Sequence, residues 1–86
     1  MNKIINGRKY DTQTATYICR GFFGNFGSKC VTLYQKWNGE FFEHHMLNEF
    51  GFREWIEPVD AKEAKRFAKE LITGGSYEKV FGKVEE

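Results

Sequence analysis

One stretch, KCVTLYQKWNGEFFEHHML over residues 29–47, constrains the fold more than any other. Its centre is Asn38-Gly39, and Asn and Gly best tolerate the two positive φ angles of a type I′ turn. The flanks are rich in Val, Thr, Leu, Tyr, Trp and Phe, side chains that fit a pleated, half-buried surface. The stretch therefore reads as one β-hairpin. A two-residue turn sets Trp37 opposite Glu40, Gln35 opposite Phe42, Leu33 opposite His44 and Val31 opposite Met46, all on one side of the sheet. That side is the more apolar and is expected to face the core. The other side pairs Lys36 with Phe41, Tyr34 with Glu43, Thr32 with His45 and Cys30 with Leu47, so it is not cleanly polar.

The remaining chain supplies elements around this hairpin. KIINGRKY, residues 3–10, carries a second Asn-Gly at Asn6-Gly7 and reads as a short hairpin. It is too short to stand alone and is expected to pair with the rest of the sheet. Asp11 follows as a candidate N-cap. Ala15, Ile18, Cys19 and Phe22 recur at helical spacing, which predicts a short amphipathic helix from Thr12 to Cys19. Thr12, Thr14 and Thr16 are poor helix formers, and a strand is the alternative. GFFGNFGS, residues 21–28, has three glycines among three phenylalanines and reads as an aromatic loop. FGFREWIE, residues 50–57, alternates like a third antiparallel strand, ended by Pro58, which has no amide hydrogen for a ladder. Asp60 and Glu63 form a capping-box-like pair before a helix to Ile72. Ala61, Ala64, Phe67, Ala68, Leu71 and Ile72 make its apolar face, and Gly74-Gly75 ends it. Ser76 then caps a last short turn whose Tyr77, Val80 and Phe81 tuck back, and residues 83–86 are expected to fray. The class is α+β: a single antiparallel β-sheet, a short helix and a C-terminal amphipathic helix packed on one face.

At 86 residues the chain makes a single domain, 1–86, and its core must be efficient. Nine Phe, four Tyr and two Trp supply that core and argue against disorder. A net charge of +1 gives no global argument for nucleic acid or membrane. Cys19 and Cys30 are too few for a disulfide framework and read as reduced thiols. No apolar run has the length of a signal peptide or a membrane span, so a cytoplasmic protein is expected.

The residues name no chemistry. His44-His45 with Glu43 invites a metal reading, but adjacent strand residues point to opposite faces, so the two imidazoles cannot chelate one ion. A site would need ligands from elsewhere, and the cysteines lack the usual metal spacing. The serines and aspartates read as caps or loop residues, and phosphate-loop patterns are absent. The expectation is no enzyme, no cofactor and no metal. RGFFGNF, from Arg20 to Phe26, echoes an RNA-recognition signature but departs from it at Phe23 and Gly24. Phe22, Phe23 and Phe26 remain open to three readings: core, a protein-binding tip, or base stacking. Lys62, Lys65, Arg66 and Lys69 fall on one helix arc, either a solvated face or a basic stripe for nucleic acid or an acidic protein surface. Glu40, Glu43, Glu49, Glu54 and Glu57 cluster on the meander beside Tyr34, Phe41 and Trp55. They are ordinary surface charge, or a face that docks on a basic groove.

The opening KIINGRKYDTQTA, residues 3–15, resembles the N-termini of a recurring class of small proteins from phages and integrative elements of bacteria. TLYQK (residues 32–36), NGEFF (38–42) and YEKVFG (77–82) are similar to the same class. The aromatic loop and His44-His45 lie outside the shared pattern. The resemblance implies a mobile-element setting, in which some small proteins inhibit host defence, anti-CRISPR proteins among them. It carries no functional residue with it.

Together these readings predict a protein-binding inhibitor in the bacterial cytoplasm, its partner a CRISPR effector subunit. The expected contacts are Phe22, Phe23, Phe26, Tyr34, Glu40, Glu43, Glu54 and Trp55. The alternative is a nucleic-acid-binding accessory protein using Lys62, Lys65, Arg66 and Lys69. A second copy of the chain is a further candidate to cover the surplus aromatics, and no membrane partner is expected.

Overall fold

A computed structural model describes residues 1–71 and 80–82. In order, the chain forms β1 (Asn2–Ile5), β2 (Arg8–Asp11), β3 (Thr16–Phe23), a single 3₁₀ turn (Asn25–Gly27), β4 (Lys29–Gln35), β5 (Phe41–Asn48), β6 (Phe52–Val59) and α1 (Ala61–Lys69). Strands β3 to β6 make an antiparallel meander, and β1–β2 form a separate two-stranded sheet. The architecture is α+β, as expected from the sequence.

The two Asn-Gly turns differ. Asn6 and Gly7 both have positive φ, 52° and 76°, and Ile5 pairs with Arg8, so β1–β2 close through a two-residue type I′ turn. At the second site only Gly39 has positive φ, 94°. The Gly39 amide donates to the Lys36 carbonyl (2.9 Å) and the Lys36 amide to the Glu40 carbonyl (2.7 Å). Trp37, Asn38 and Gly39 thus form a three-residue loop with a left-handed glycine. Asn38 is held in this form through Glu40, accepting its amide hydrogen (3.0 Å) and donating to its carboxylate (2.7 Å).

The extra loop residue slips the predicted register by one. Gln35 pairs with Phe41, Tyr34 with Phe42, and Leu33 with Glu43. A one-residue slip exchanges the faces of a whole strand. Here it gives each of two adjacent phenylalanines an apolar layer. Phe41 joins Cys19, Leu33, Ala64 and Ala68 under α1, with Val59, Phe67, Val80 and Phe81 packed around them. Phe42 joins Tyr10 and Ile56 on the opposite face, with Ile5 and Tyr34 against them. The first hairpin therefore packs face-on over the sheet and does not extend its ladder.

Three further expectations change. Residues 12–19 do not form a helix: Asp11 caps one turn, accepting the Gln13 amide (2.9 Å), but Thr16 begins β3. β-branched Thr favours strand over helix once a neighbouring strand is present. β3 also runs through Gly21 to Phe23, shortening the aromatic loop. β6 starts at Phe52 and continues through Pro58 to Val59, which proline permits on an edge strand. Asp60 does cap α1, accepting the Glu63 amide at 2.8 Å. The predicted stop at Gly74-Gly75, the Ser76 cap and residues 83–86 lie outside the described residues.

Candidate interaction surface

The register fixes which side chains share a face. On the side away from α1, one row runs Tyr17, Tyr34, Phe42, Pro58; the next, Arg20, Thr32, His44, Ile56; the third, Phe22, Cys30, Met46, Glu54. Phe52, two residues before Glu54, shares this face. The β1–β2 hairpin covers the first row through Tyr10 and Ile5. At the far end Phe22 is 68% exposed and Phe52 61%. They sit on the two edge strands, which lie about 14 Å from each other at the usual strand spacing.

Two loops at that end add an aromatic each. Phe26 lies in the 3₁₀ turn between β3 and β4, and Phe50 in the connection between β5 and β6. The loops are tied together: the Asn48 amide donates to the Ser28 carbonyl (2.9 Å) and the Ser28 hydroxyl to Glu49 (2.8 Å). Both phenylalanines hold left-handed backbone, φ 56° and 52°, and both side chains are fully exposed. A left-handed non-glycine residue costs about 1–2 kcal/mol. Asn or Gly would meet the same geometry more cheaply, and these rings gain no burial to offset the cost. Four exposed phenylalanines thus lie at one end of the sheet, and exposed large apolar groups gathered in one region are the informative exception on a protein surface.

The other expected contacts distribute differently. Phe23 folds onto the α1 side, with its ring against Phe67 (6.2 Å). Gly21 makes this possible, since a Cβ there would lie 2.8 Å from the Phe23 ring. Tyr34 is half-buried and stacked on Phe42 (5.3 Å). Glu40 belongs to the β4–β5 loop, where Asn38, Lys36 and Arg8 hold its carboxyl below the usual range. Glu54 lies on the aromatic face and bonds His44 (2.9 Å). Glu43 and Trp55 face α1. The set therefore splits over both faces, and only Phe22, Phe26 and Glu54 share the exposed end. Phe50 and Phe52 were not singled out by sequence reasoning, because FGF reads as the start of a strand. The available signal was Gly51 beside Phe50, which marks a turn.

On the α1 side, Glu43, His45 and Glu57 converge. Glu43 pairs directly with Glu57 across β5–β6. The buried His45 ring places Nε2 2.8 Å from Glu43 and 3.1 Å from Glu57. It stacks on Trp55 at 5.0 Å, with Lys29 over the indole at 5.9 Å. Its Nδ1 is buried without a hydrogen-bond partner among the described residues, so its polar contacts lie on the carboxylate side. Beside the cluster, Phe23, Glu43, Glu63, Arg66, Phe67, Glu70 and Leu71 line an open cleft of about 350 Å³. Lys62, Lys65, Arg66 and Lys69 are all exposed on α1, but Arg66 shares that cleft with three glutamates. Cys19 is buried among apolar side chains, which with nearby Glu43 pushes its thiol up to about 11. Such a thiol is inert as a nucleophile at neutral pH. No helix among the described residues is long and apolar enough to cross a membrane.

Comparison of the chain with protein-family models, with curated proteins and with solved structures finds no match.

Proposed function

We propose that this chain is a non-enzymatic, protein-binding inhibitor carried by a phage or other mobile element, of the anti-CRISPR kind, that occludes a surface of a CRISPR effector complex. The observation that carries the binding role is the pair of left-handed, fully exposed phenylalanines, Phe26 and Phe50, flanked by Phe22 and Phe52. Backbone strain retained without a packing return belongs to functional positions. Interface centres are enriched in aromatics, and a few such anchors dominate affinity. Glu54 and Glu49 border this end and supply polar groups beside it. The resemblance of residues 3–15 to phage and integrative-element proteins supports the host-defence setting.

The test is retention of purified CRISPR effector complexes on the immobilised protein, together with phage plaquing on a host with an active CRISPR system. The proposal predicts stoichiometric retention of one effector subunit and restored plaquing. Neither should survive in the F22S/F26S/F50S/F52S variant, whose circular dichroism stays native. Retention of no effector would remove the anti-CRISPR role; undiminished retention by the variant would remove the site.

The exposed basic stripe on α1 supports a second reading, nucleic-acid binding. It predicts affinity for DNA or RNA that falls steeply with salt. The glutamates around Arg66 offset part of that stripe, which places this reading second.

A further inference from the structure

Glu43 and Glu57 stand directly opposite each other on neighbouring strands. Like charges so placed destabilise a sheet unless a cation lies between them. His45, 7% exposed, converges on the pair with Nε2 aimed at both carboxylates. One donor atom from each of the three lies within 4.8 Å of the others. Glu43 and His45 share a face because they are two residues apart on β5, and the register brings Glu57 to them. The obstacle seen in the sequence, that His44 and His45 point to opposite faces, does not apply here, since only one histidine takes part.

We infer that Glu43, His45 and Glu57 bind a single divalent transition-metal ion, Zn²⁺ being the best matched. An imidazole nitrogen with carboxylate oxygens is a donor set that suits zinc and its first-row neighbours. Bonds of about 2.0–2.1 Å in a tetrahedral site hold ligand atoms about 3.3 Å apart. The observed 2.8 and 3.1 Å separations are a few tenths of an ångström shorter. Glu57, with a side chain 57% exposed, is free to widen the 3.1 Å separation and leaves a route from solvent. The 2.8 Å separation is to Glu43, whose side chain is 13% exposed, and it opens only with a small shift of the imidazole. Stacking on Trp55 fixes the imidazole plane, so little ordering is left to the metal. Zinc takes the Nε2 lone pair, the proton remains on Nδ1, and any proton held on Nε2 is released to solvent. Water completes the coordination. His44 provides an internal contrast: it faces the other side and meets one carboxylate, Glu54.

The experiment is calorimetric titration of ZnCl₂ into tag-free, chelator-stripped protein at neutral pH. One zinc per chain is expected. Glu57→Gln, at an exposed position that the fold tolerates, and His45→Gln should each weaken binding by at least about ten-fold, the loss seen even for outer-shell partners. His44→Gln should match the wild type. Absence of stoichiometric zinc in the folded wild type, or wild-type affinity in Glu57→Gln, would overturn the site.

Discussion

The two ends of the four-stranded sheet spend the same residue type in opposite ways. At the end near α1 and the first hairpin, Phe41 and Phe42 are 8% and 0% exposed, one facing each layer. At the other end Phe22, Phe26, Phe50 and Phe52 range from 61% to 108–111% exposed. The first end shows how a small chain closes two cores on one sheet. The second has no layer over it among the described residues, and its loops hold two rings outward on strained backbone. Burial accounts for the first pair; among the described residues no burial accounts for the second set.

The contrast is broken most forcefully at the closed end. Phe42→Ala should cost about 3–5 kcal/mol, measured by urea denaturation, because the ring fills a site with no exposure. That is a large share of the stability of a small domain. A cost below about 1 kcal/mol would mean that the second core is not formed. Loss of the α1 cap comes next: Asp60→Ala should cost about 1 kcal/mol in the same assay. At the aromatic end the sign reverses. Phe50→Asn should stabilise the protein by up to about 1 kcal/mol by relieving left-handed strain, while weakening partner retention. A loss of stability there would show that Phe50 packs in the monomer.

The smallest effect concerns pH. Hydrogen bonds from Asn38 and Lys36, then Arg8, hold the Glu40 carboxyl below its ordinary 4.5. A lowered folded value favours the ionised, folded form. The contribution is therefore present above 4.5 and is lost as pH falls through the lower folded value. Glu40→Gln should lower Tm slightly at neutral pH and leave it unchanged in strong acid.

Local chemistry was legible in the sequence, and long-range pairing was not. Asp60 and Glu63 announced α1 because a cap acts within four residues. Asn6-Gly7 announced its turn for the same reason. Asn38-Gly39 suits two loops of different length, and the choice between them is made by Glu40 and by the apolar layers that Phe41 and Phe42 reach. Residues 12–19 read as helix because Asp11 does cap a turn there, but pairing with β4 decides the strand. The same limit governs the sites. The i, i+2 spacing of Glu43 and His45 is visible along the chain, whereas Glu57 joins them only through the β5–β6 register. Phe22 and Phe26 were visible as loop aromatics; Phe50 and Phe52 needed the meander to bring them to the same end.

The function proposed above requires that the aromatic end serve a partner and not the fold. The most direct measurement is the F22S/F26S/F50S/F52S variant, followed in parallel by thermal unfolding and by retention of the CRISPR effector. The expected result is a stability change within about 0.5 kcal/mol per exposed site, with retention abolished. A large fall in Tm, or a variant that still holds the effector, would contradict it.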